Sequence, residues 1–252
     1  WRRRGVALPF PPGEGGDRNL PPLRVYPRYG VFPPTRPEVL DLIASARIPQ
    51  TAATGGTILE VGVGTGALTA LVLRGCDNTT KAVVTDVNPT AVECARENLE
   101  WMGMGDRVDA MMVDLFPPPE ECVAADLIVC NPPWIPDSIA KDGAVGCELG
   151  SAWLDRANFD HPDGNKSMLG RFLSGLGSNL SNADDAEAWL VLSDLAERLG
   201  LREQGEIERR VEGGGMRVVR KTDVPRCGRR RPRRKTNSEE AFPDLERVRA
   251  EE

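Results

Sequence analysis

From residue 57 onward the chain alternates between short apolar runs and longer segments whose apolar residues recur every three or four positions. TILEVG (57–62), TKAVVTDV (80–87), DRVDAMMVDLF (106–116), ADLIVCN (125–131), EAWLVLSDL (187–195) and MRVVRKT (216–222) read as strands, several of them rich in β-branched residues. Between them, GALTALVLRG (66–75), PTAVECARENLEWMG (89–103), a stretch near 166–181 and a stretch over 195–212 with a break around Gly200 carry helical spacing. Pro89 suits a first turn and Gly103 a stop. Ahead of the first strand, RPEVLDLIASA (36–46) predicts a helix with Thr35 as N-cap and Pro37 near its first turn. Strands that alternate with helices imply βαβ crossovers. The expected fold class is therefore α/β, a doubly wound, mostly parallel sheet with helices on both faces. No internal repeat is visible.

The flanks differ in composition. Residues 1–34 hold eight prolines and five glycines and read as an extended lead-in, partly disordered over 1–23. The body is expected over 24–225. RCGRRRPRRK (226–235) has seven basic side chains in ten and is followed by an acidic segment, so 226–252 reads as a disordered tail. Net charge is −6, but nine of the 32 Lys/Arg and six of the 38 Asp/Glu fall in 226–252, which leaves 23 and 32 before it, a body at −9. An acidic body argues against a broad phosphate-binding surface and tilts the substrate toward a protein or small molecule. The tail could restore RNA affinity locally, serve as a nuclear-localisation-like run, or be a solvated appendage.

Six cysteines (Cys76, Cys94, Cys122, Cys130, Cys147, Cys227) show no CxxC spacing. They read as free thiols in a reducing compartment, with no disulfide framework and no metal site. No apolar run approaches the roughly 18 residues of a membrane span, so the chain reads as soluble, without a membrane partner. It starts at Trp1 and reads as a fragment or processed chain. The expected location is intracellular and cytoplasmic, with nuclear or organellar placement left open because any upstream signal is out of sight.

Two stretches carry the chemistry. LEVGVGTGA (59–67) joins the first strand to the first helix, and Gly62, Gly64 and Gly66 allow a tight turn that approaches a nucleoside ligand closely. The same run fits GxGxxA (Gly62, Gly64, Ala67), a dinucleotide fingerprint, and glycines there can also be plain connections. Glu60 favours a ligand with an ammonium or sulfonium charge over a pyrophosphate. Asp86 ends the second strand, 24 residues beyond Gly62, where a carboxylate can accept both hydrogen bonds of a ribose diol or merely cap the Asn88-Pro89 helix start. Asp114, with Leu115 and Phe116 behind it, suits either an adenine amine or a turn before three prolines. DLIVCNPPWIPD (126–137) ends a buried strand in two prolines, which cannot continue a ladder. Asn131 and the Pro132 carbonyl form a pair of acceptors for a planar NH₂, with Trp134 as a flat face; a Pro-rich turn with a surface Trp is the plainer alternative.

This combination resembles the class I S-adenosylmethionine-dependent methyltransferases, Rossmann-like enzymes, and among them the methyltransferase small domain group with [DN]PP[YFW] motifs. That group includes HemK-type glutamine N5-methyltransferases of release factors and N6-adenine and N2-guanine RNA methyltransferases. The likeness runs over roughly 24–222 through EVGVGTG (60–66), TDVNP (85–89), VDLF (113–116) and NPPW (131–134). YGVFPPTRPEVLDLI (29–43) is similar to the element that precedes the glycine turn and lies beside the cofactor. The resemblance implies S-adenosylmethionine as cofactor, bound by Glu60, Gly62, Gly64, Gly66, Asp86, Asn88, Asp114 and Leu115, and an acceptor nitrogen held by Asn131, Pro132, Pro133 and Trp134. It implies a protein or RNA substrate; oligomeric state stays open. Two departures stand out. The family sheet ends in an antiparallel hairpin, whereas after MRVVRKT only the Arg-rich tail follows, so the closing strand is expected to be missing or diverged. Trp is also the less common aromatic of the motif.

Residues 135–165, with Trp153, Asp155, Asp160 and His161, read as a substrate-facing lid. His161 reads as a turn residue and Cys130 as a strand residue. Two other functions compete: a methyltransferase-fold scaffold without chemistry, favoured by the absent closing strand, and a nicotinamide oxidoreductase, in which Glu60 and NPPW have no role.

Overall fold

The computed structural model describes residues 4–9, 23–34, 36–121, 124–136, 159–160, 167–223 and 243–250. Seven strands form one sheet: β1 (Thr57–Val61), β2 (Lys81–Asp86), β3 (Val108–Met112), β4 (Leu127–Cys130), β5 (Glu187–Ser193), β6 (Met216–Asp223) and β7 (Pro243–Ala250). Their order is β6-β7-β5-β4-β1-β2-β3. The five from β5 to β3 are mutually parallel, and β7 is antiparallel to both β5 and β6. The helices are α1 (Pro37–Ser45), α2 (Gln50–Ala53), α3 (Ala67–Arg74), α4 (Pro89–Trp101), α5 (Met168–Asn179), α6 (Leu195–Arg198) and α7 (Glu206–Gly213).

The central strands are apolar throughout because both faces are covered. Alternation along β1 sends Ile58 to one side and Leu59 to the other. Ile58 packs with Val84, Val129 and Trp189 against Leu40 and Ile43 of α1, Leu71 of α3 and Leu99 of α4. Leu59 and Val61 pack with Ile128 and Leu190 against Phe172 and Leu176 of α5 and Ile207 and Val211 of α7. Phe172 and Trp189 are fully buried; truncating either to Ala costs about 3–5 kcal/mol at such sites. The buried Trp189 indole N–H is satisfied by Glu187 Oε1 at 2.7 Å, two residues away on the same face. Local signals set the helix starts. Asn88 caps α4 by accepting from Thr90 N at 3.0 Å, ahead of Pro89, and Ser167 caps α5 by accepting from Gly170 N at 2.8 Å.

Chain order reverses beside β1, since β2 and β3 lie to one side and β4 and β5 to the other. The carboxyl ends of β1 and β4 therefore flank the switch point at which an open α/β sheet binds ligands.

Several expectations need correction. The 226–252 segment contains a strand: β7 inserts between β5 and β6, so the closing antiparallel hairpin is part of the sheet. PDLERVRA has too few apolar residues to announce itself, because its stability comes from backbone pairing with two distant strands. The 1–23 lead-in is packed where it is described: Val6–Ala7 pairs with Arg24–Val25, and Leu8 is buried in the main core with Leu23 and Val25. α1 starts behind Arg36, which offers no side-chain cap, while Thr35 lies outside the described residues. β3 stops at Met112, short of the expected residue 116, because the chain turns at Leu115 with φ +72°. The 195–212 stretch breaks at Gly200 as expected and turns again at left-handed Gly205, which leaves α6 and α7 on either side. Of the expected lid, Ile135–Pro136 pairs in parallel with Phe159–Asp160; Trp153, Asp155 and His161 lie outside the described residues, as do Cys122, Cys147 and Cys227. Cys76, Cys94 and Cys130 are free thiols. Among the described residues no helix is long and apolar enough to cross a membrane.

Candidate active site

A cavity of about 270 Å³ opens at the switch point. Its wall combines the end of β1 (Glu60, Gly62 and Gly64), the end of β2 (Asp86 and Asn88), Asp114 and Leu115, and Asn131 through Trp134 after β4. Gly30–Phe32, Pro34 and Arg36 from the N-terminal segment complete it. Of the twelve residues singled out from the sequence, all but Gly66 line this one space.

The turn after β1 is built on backbone. Gly62 N and Val63 N both donate to Thr85 O at 2.9 Å, which ties the turn to β2. Gly62 has φ +79°, and a Cβ there would meet nothing within 4 Å, so the conformation and the open cavity favour glycine. At Gly66, with φ +78°, a Cβ would stand 3.2–3.3 Å from Leu99 and Ala95. This glycine serves the close approach of α4 and does not face the cavity.

Asp86 receives a hydrogen bond on each oxygen, from Gly64 N to Oδ2 at 3.0 Å and from Asn88 N to Oδ1 at 2.9 Å. Burial raises its carboxyl above the usual range, and the N–H groups of Asn88, Gly64 and Val87 oppose that rise. A carboxylate has about four acceptor sites, so these N–H groups leave capacity for a ligand hydroxyl. Asn88 plays a different part from the expected one. Its Oδ1 caps α4, and its Nδ2 donates to Gly30 O at 3.0 Å, which fastens the N-terminal segment beside the cavity.

Glu60 is 2 % exposed. Its Oε2 accepts from Thr69 N at 2.8 Å and from the Thr69 hydroxyl. Burial pushes its carboxyl up to about 8, the Thr69 hydrogen bonds pull the other way, and the charge of Asp86 adds to the rise. The cavity floor thus presents two carboxyls that are costly to ionise without a cation beside them.

Asp114 lies past the end of β3 and not at its last residue. Arg171 of α5 holds it in a bidentate ion pair, Nη1 to Oδ2 at 2.8 Å and Nη2 to Oδ1 at 3.2 Å. Leu115 is the single non-glycine residue with positive φ among those described. Thr85 Oγ1 donates to its carbonyl at 2.6 Å, and its side chain packs against the α5 side of the core. Phe116 stacks on Phe172 with centroids 5.5 Å apart and does not line the cavity.

Beyond β4 the turn is held by side chains. Trp134 Nε1 lies 3.1 Å from both Asn131 Oδ1 and the carbonyl oxygen of Val191. The Arg36 guanidinium sits 4.6 Å from the centroid of the Trp134 ring. Two expectations change accordingly. One lone pair of Asn131 Oδ1 is engaged, which leaves one for an incoming N–H. One face of Trp134 is covered by a cation, so it is not an open stacking platform.

The sequence reading missed Arg36, Arg171, Thr69 and Asn98. Asn98 is buried, accepts from Tyr26 N at 2.9 Å and donates to Thr65 O at 2.9 Å, bracing the lead-in against the glycine turn. Its signal was present: an amide on the stripe of α4 that also carries Ala91, Cys94 and Ala95. The two arginines gave no local signal, because each acquires its role only through a partner about 60 to 100 residues away.

Comparison with known proteins fits this arrangement. Residues 24–149 match the family model of the methyltransferase small domain. A release factor glutamine methyltransferase of Mycolicibacterium smegmatis is 35 % identical over 133 residues, 52 % of this chain and 45 % of the relative. A tRNA1(Val) (adenine(37)-N6)-methyltransferase of Phocaeicola vulgatus is 34 % identical over 144 residues, 57 % of this chain and 58 % of the relative. The chain spans 27 % to 47 % of the length of the release factor methyltransferases it matches here. A ribosomal protein L11 methylase from Lactobacillus delbrueckii subsp. bulgaricus superposes with a TM-score of 0.54 at 14 % identity, over 91 % of this chain and 86 % of that one, a likeness of fold. The family match takes in half of the 252 residues, from the lead-in strand through the glycine turn to the NPPW turn, and the chain belongs to the methyltransferase small domain family.

Proposed function

We propose that the chain is an S-adenosylmethionine-dependent N-methyltransferase acting on a planar nitrogen, either a protein amide or the exocyclic amine of an RNA base. One observation carries this reading: Glu60, the glycine turn and Asp86 share a single cavity with Asn131–Trp134. The residues fit the cofactor. Gly62 leaves room where a side chain would intrude, Asp86 has spare acceptor capacity for a ribose diol, and Glu60 gains from a positively charged neighbour that lets it ionise. Asp114 and Leu115 suit the adenine side once Arg171 yields one of its contacts.

When bound, S-adenosylmethionine supplies a methyl group activated by a sulfonium centre. Asn131 Oδ1 would accept an N–H of the acceptor and turn the nitrogen lone pair into the cavity it shares with Glu60 and the glycine turn. As the N–C bond forms and the S–C bond breaks, the nitrogen would give up one proton to solvent. The prolines stiffen this turn, and Trp134 keeps the Asn131 side chain aimed. Catalysis is then chiefly orientation and hydrogen bonding. The two relatives quoted above act, by their names, on a glutamine and on an adenine N6, and both are planar nitrogens. The scaffold reading loses its one support with the closing strand in place. The free Cys76, Cys94 and Cys130 thiols support a reducing, intracellular setting.

The test is to incubate the protein with isotopically labelled methyl donor, total RNA and a cell-protein digest, and to locate the label by mass spectrometry. Label on an amide or ring-amine nitrogen is expected. Label on oxygen or carbon, or no binding of S-adenosylmethionine in calorimetry, would remove the proposal.

A further inference from the structure

Near its carboxyl end, β2 buries a hydroxyl. Ala82, Val83 and Val84 carry the strand through the core, and Thr85, the next residue, is fully buried as well. A buried hydroxyl needs a partner. Thr85 Oγ1 donates to Leu115 O at 2.6 Å and lies 3.4 Å from the Glu60 carbonyl oxygen, so Leu115 is its principal acceptor. The main-chain carbonyl of Thr85 accepts from Gly62 N and Val63 N, both at 2.9 Å. One residue thus ties two separate parts of the cavity wall. Its main chain holds the turn after β1, and its side chain holds the turn after β3.

The turn after β3 is the one that needs holding. Leu115 sits at φ +72°, in the left-handed region that a Cβ-bearing residue disfavours. Such backbone persists only where the surroundings impose it. Here they are the Thr85 hydrogen bond and the packing of the Leu115 side chain against the α5 side of the core. The peptide plane that Leu115 shares with Asp114 carries any change at one into the other. Asp114 lines the cavity, with Arg171 on its carboxylate. The aim of that carboxylate therefore depends on a hydroxyl two strands away from β4 and outside any ion pair.

We infer that Thr85 is a positioning residue for base selection: by holding Leu115 left-handed, its hydroxyl keeps Asp114 aimed at the 6-position of the cofactor's purine. A carboxylate there accepts from the amine of adenine and repels the carbonyl oxygen of hypoxanthine. The inference rests on the S-adenosylmethionine reading and assigns base selection to a side chain that acts through a turn. It also separates the two ends of the cofactor space. The glycine turn is held by the Thr85 main chain, which a substitution leaves in place, so loss of the hydroxyl should loosen the base end alone.

The experiment titrates the full chain calorimetrically with S-adenosylhomocysteine and with S-inosylhomocysteine, which carries an oxygen in place of the base amine. The wild type should bind the adenosine ligand about tenfold more tightly or better. Thr85→Val keeps the branched shape and removes the donor. It should weaken S-adenosylhomocysteine about tenfold and S-inosylhomocysteine about threefold or less, so that the preference shrinks. Thr85→Ala removes the hydroxyl without adding a methyl group, so a packing fault peculiar to valine would be absent from it, and it should show the same shrinkage. Thr85→Ser, which retains the donor, should keep the wild-type ratio. Equal weakening of both ligands in Thr85→Val and Thr85→Ala would make the hydroxyl a general support of the fold and overturn the inference. An unchanged ratio in both would overturn it too, as would a wild type indifferent to the base or a ratio lost in Thr85→Ser. A wild type that binds neither ligand would remove the S-adenosylmethionine reading itself. Binding of S-adenosylhomocysteine by the wild type keeps that reading in place whichever way the variants behave.

Discussion

The two ends of the cavity are built by different means. At the β1–β2 end, main-chain groups do the holding: Gly62, Val63, Gly64 and Asn88 N–H groups are all engaged by Thr85 O or the Asp86 carboxylate. At the β4 end, side chains hold side chains: Trp134 with Asn131, and Arg36 over Trp134. A backbone frame cannot be exchanged without moving strands. A side-chain frame can trade one partner for another of similar strength. The first arrangement suits a ligand that is the same in every turnover, the second an acceptor that must displace something on arrival.

The sharpest way to break that comparison is Asn131→Ala. Transfer should fall about 100-fold or more, as it does when one oriented hydrogen-bonding group is removed from a reacting centre, while calorimetry with S-adenosylmethionine stays at the wild-type value. Loss of cofactor binding in that variant would mean the two ends are not independent. Gly62→Ala attacks the other end. Positive φ costs a Cβ-bearing residue about 1 kcal/mol, and the methyl also enters the cavity. The cofactor Kd should rise about tenfold or more, the equivalent of 1.4 kcal/mol, with the acceptor KM little changed.

Glu60 supplies a pH test. With its carboxyl raised from 4.5 to about 8, the folded ligand-free protein holds a proton there that the unfolded chain has lost above 4.5. Its contribution to stability is complete below 4.5 and disappears as pH rises through about 8. A cationic ligand reverses the preference. Binding near pH 7 should release up to about one proton, read from the buffer-ionisation dependence of the calorimetric enthalpy, and the release should fade above pH 9. Glu60→Gln should abolish it. The smallest effect is expected from Arg171→Ala. Its ion pair with Asp114 is about half exposed, worth no more than about 1 kcal/mol. Freeing Asp114 should tighten cofactor binding by up to about fivefold and leave the thermal midpoint almost unmoved. Weaker binding would instead make Arg171 itself a contact of the ligand.

What could be read from the sequence was whatever is specified locally. TILEV and LIVC announce buried strands, Asn88-Pro89 announces a helix start, and the glycine turn and NPPW announce a ligand edge at the ends of those strands. What could not be read depended on partners far along the chain. PDLERVRA pairs with strands that begin 56 and 27 residues earlier, and with alternating charge it has no burial signature of its own. The short β3 ended early because Leu115 takes a left-handed turn that nothing in DLFPPP requires. The side chains around Trp134 follow the same rule, since Arg36 and Val191 reach it from opposite ends of the described chain.

β7 follows β6 in the chain yet lies inside it in the sheet, and this governs how the protein can be cut. Excising 226–252 would not trim an ornament from the rim. It would pull an interior plank, leaving the fully buried β5 with a bare row of N–H and C=O groups and β6 without any neighbour to pair with. Shortened forms of this kind should clump through that raw border before any activity could be assayed.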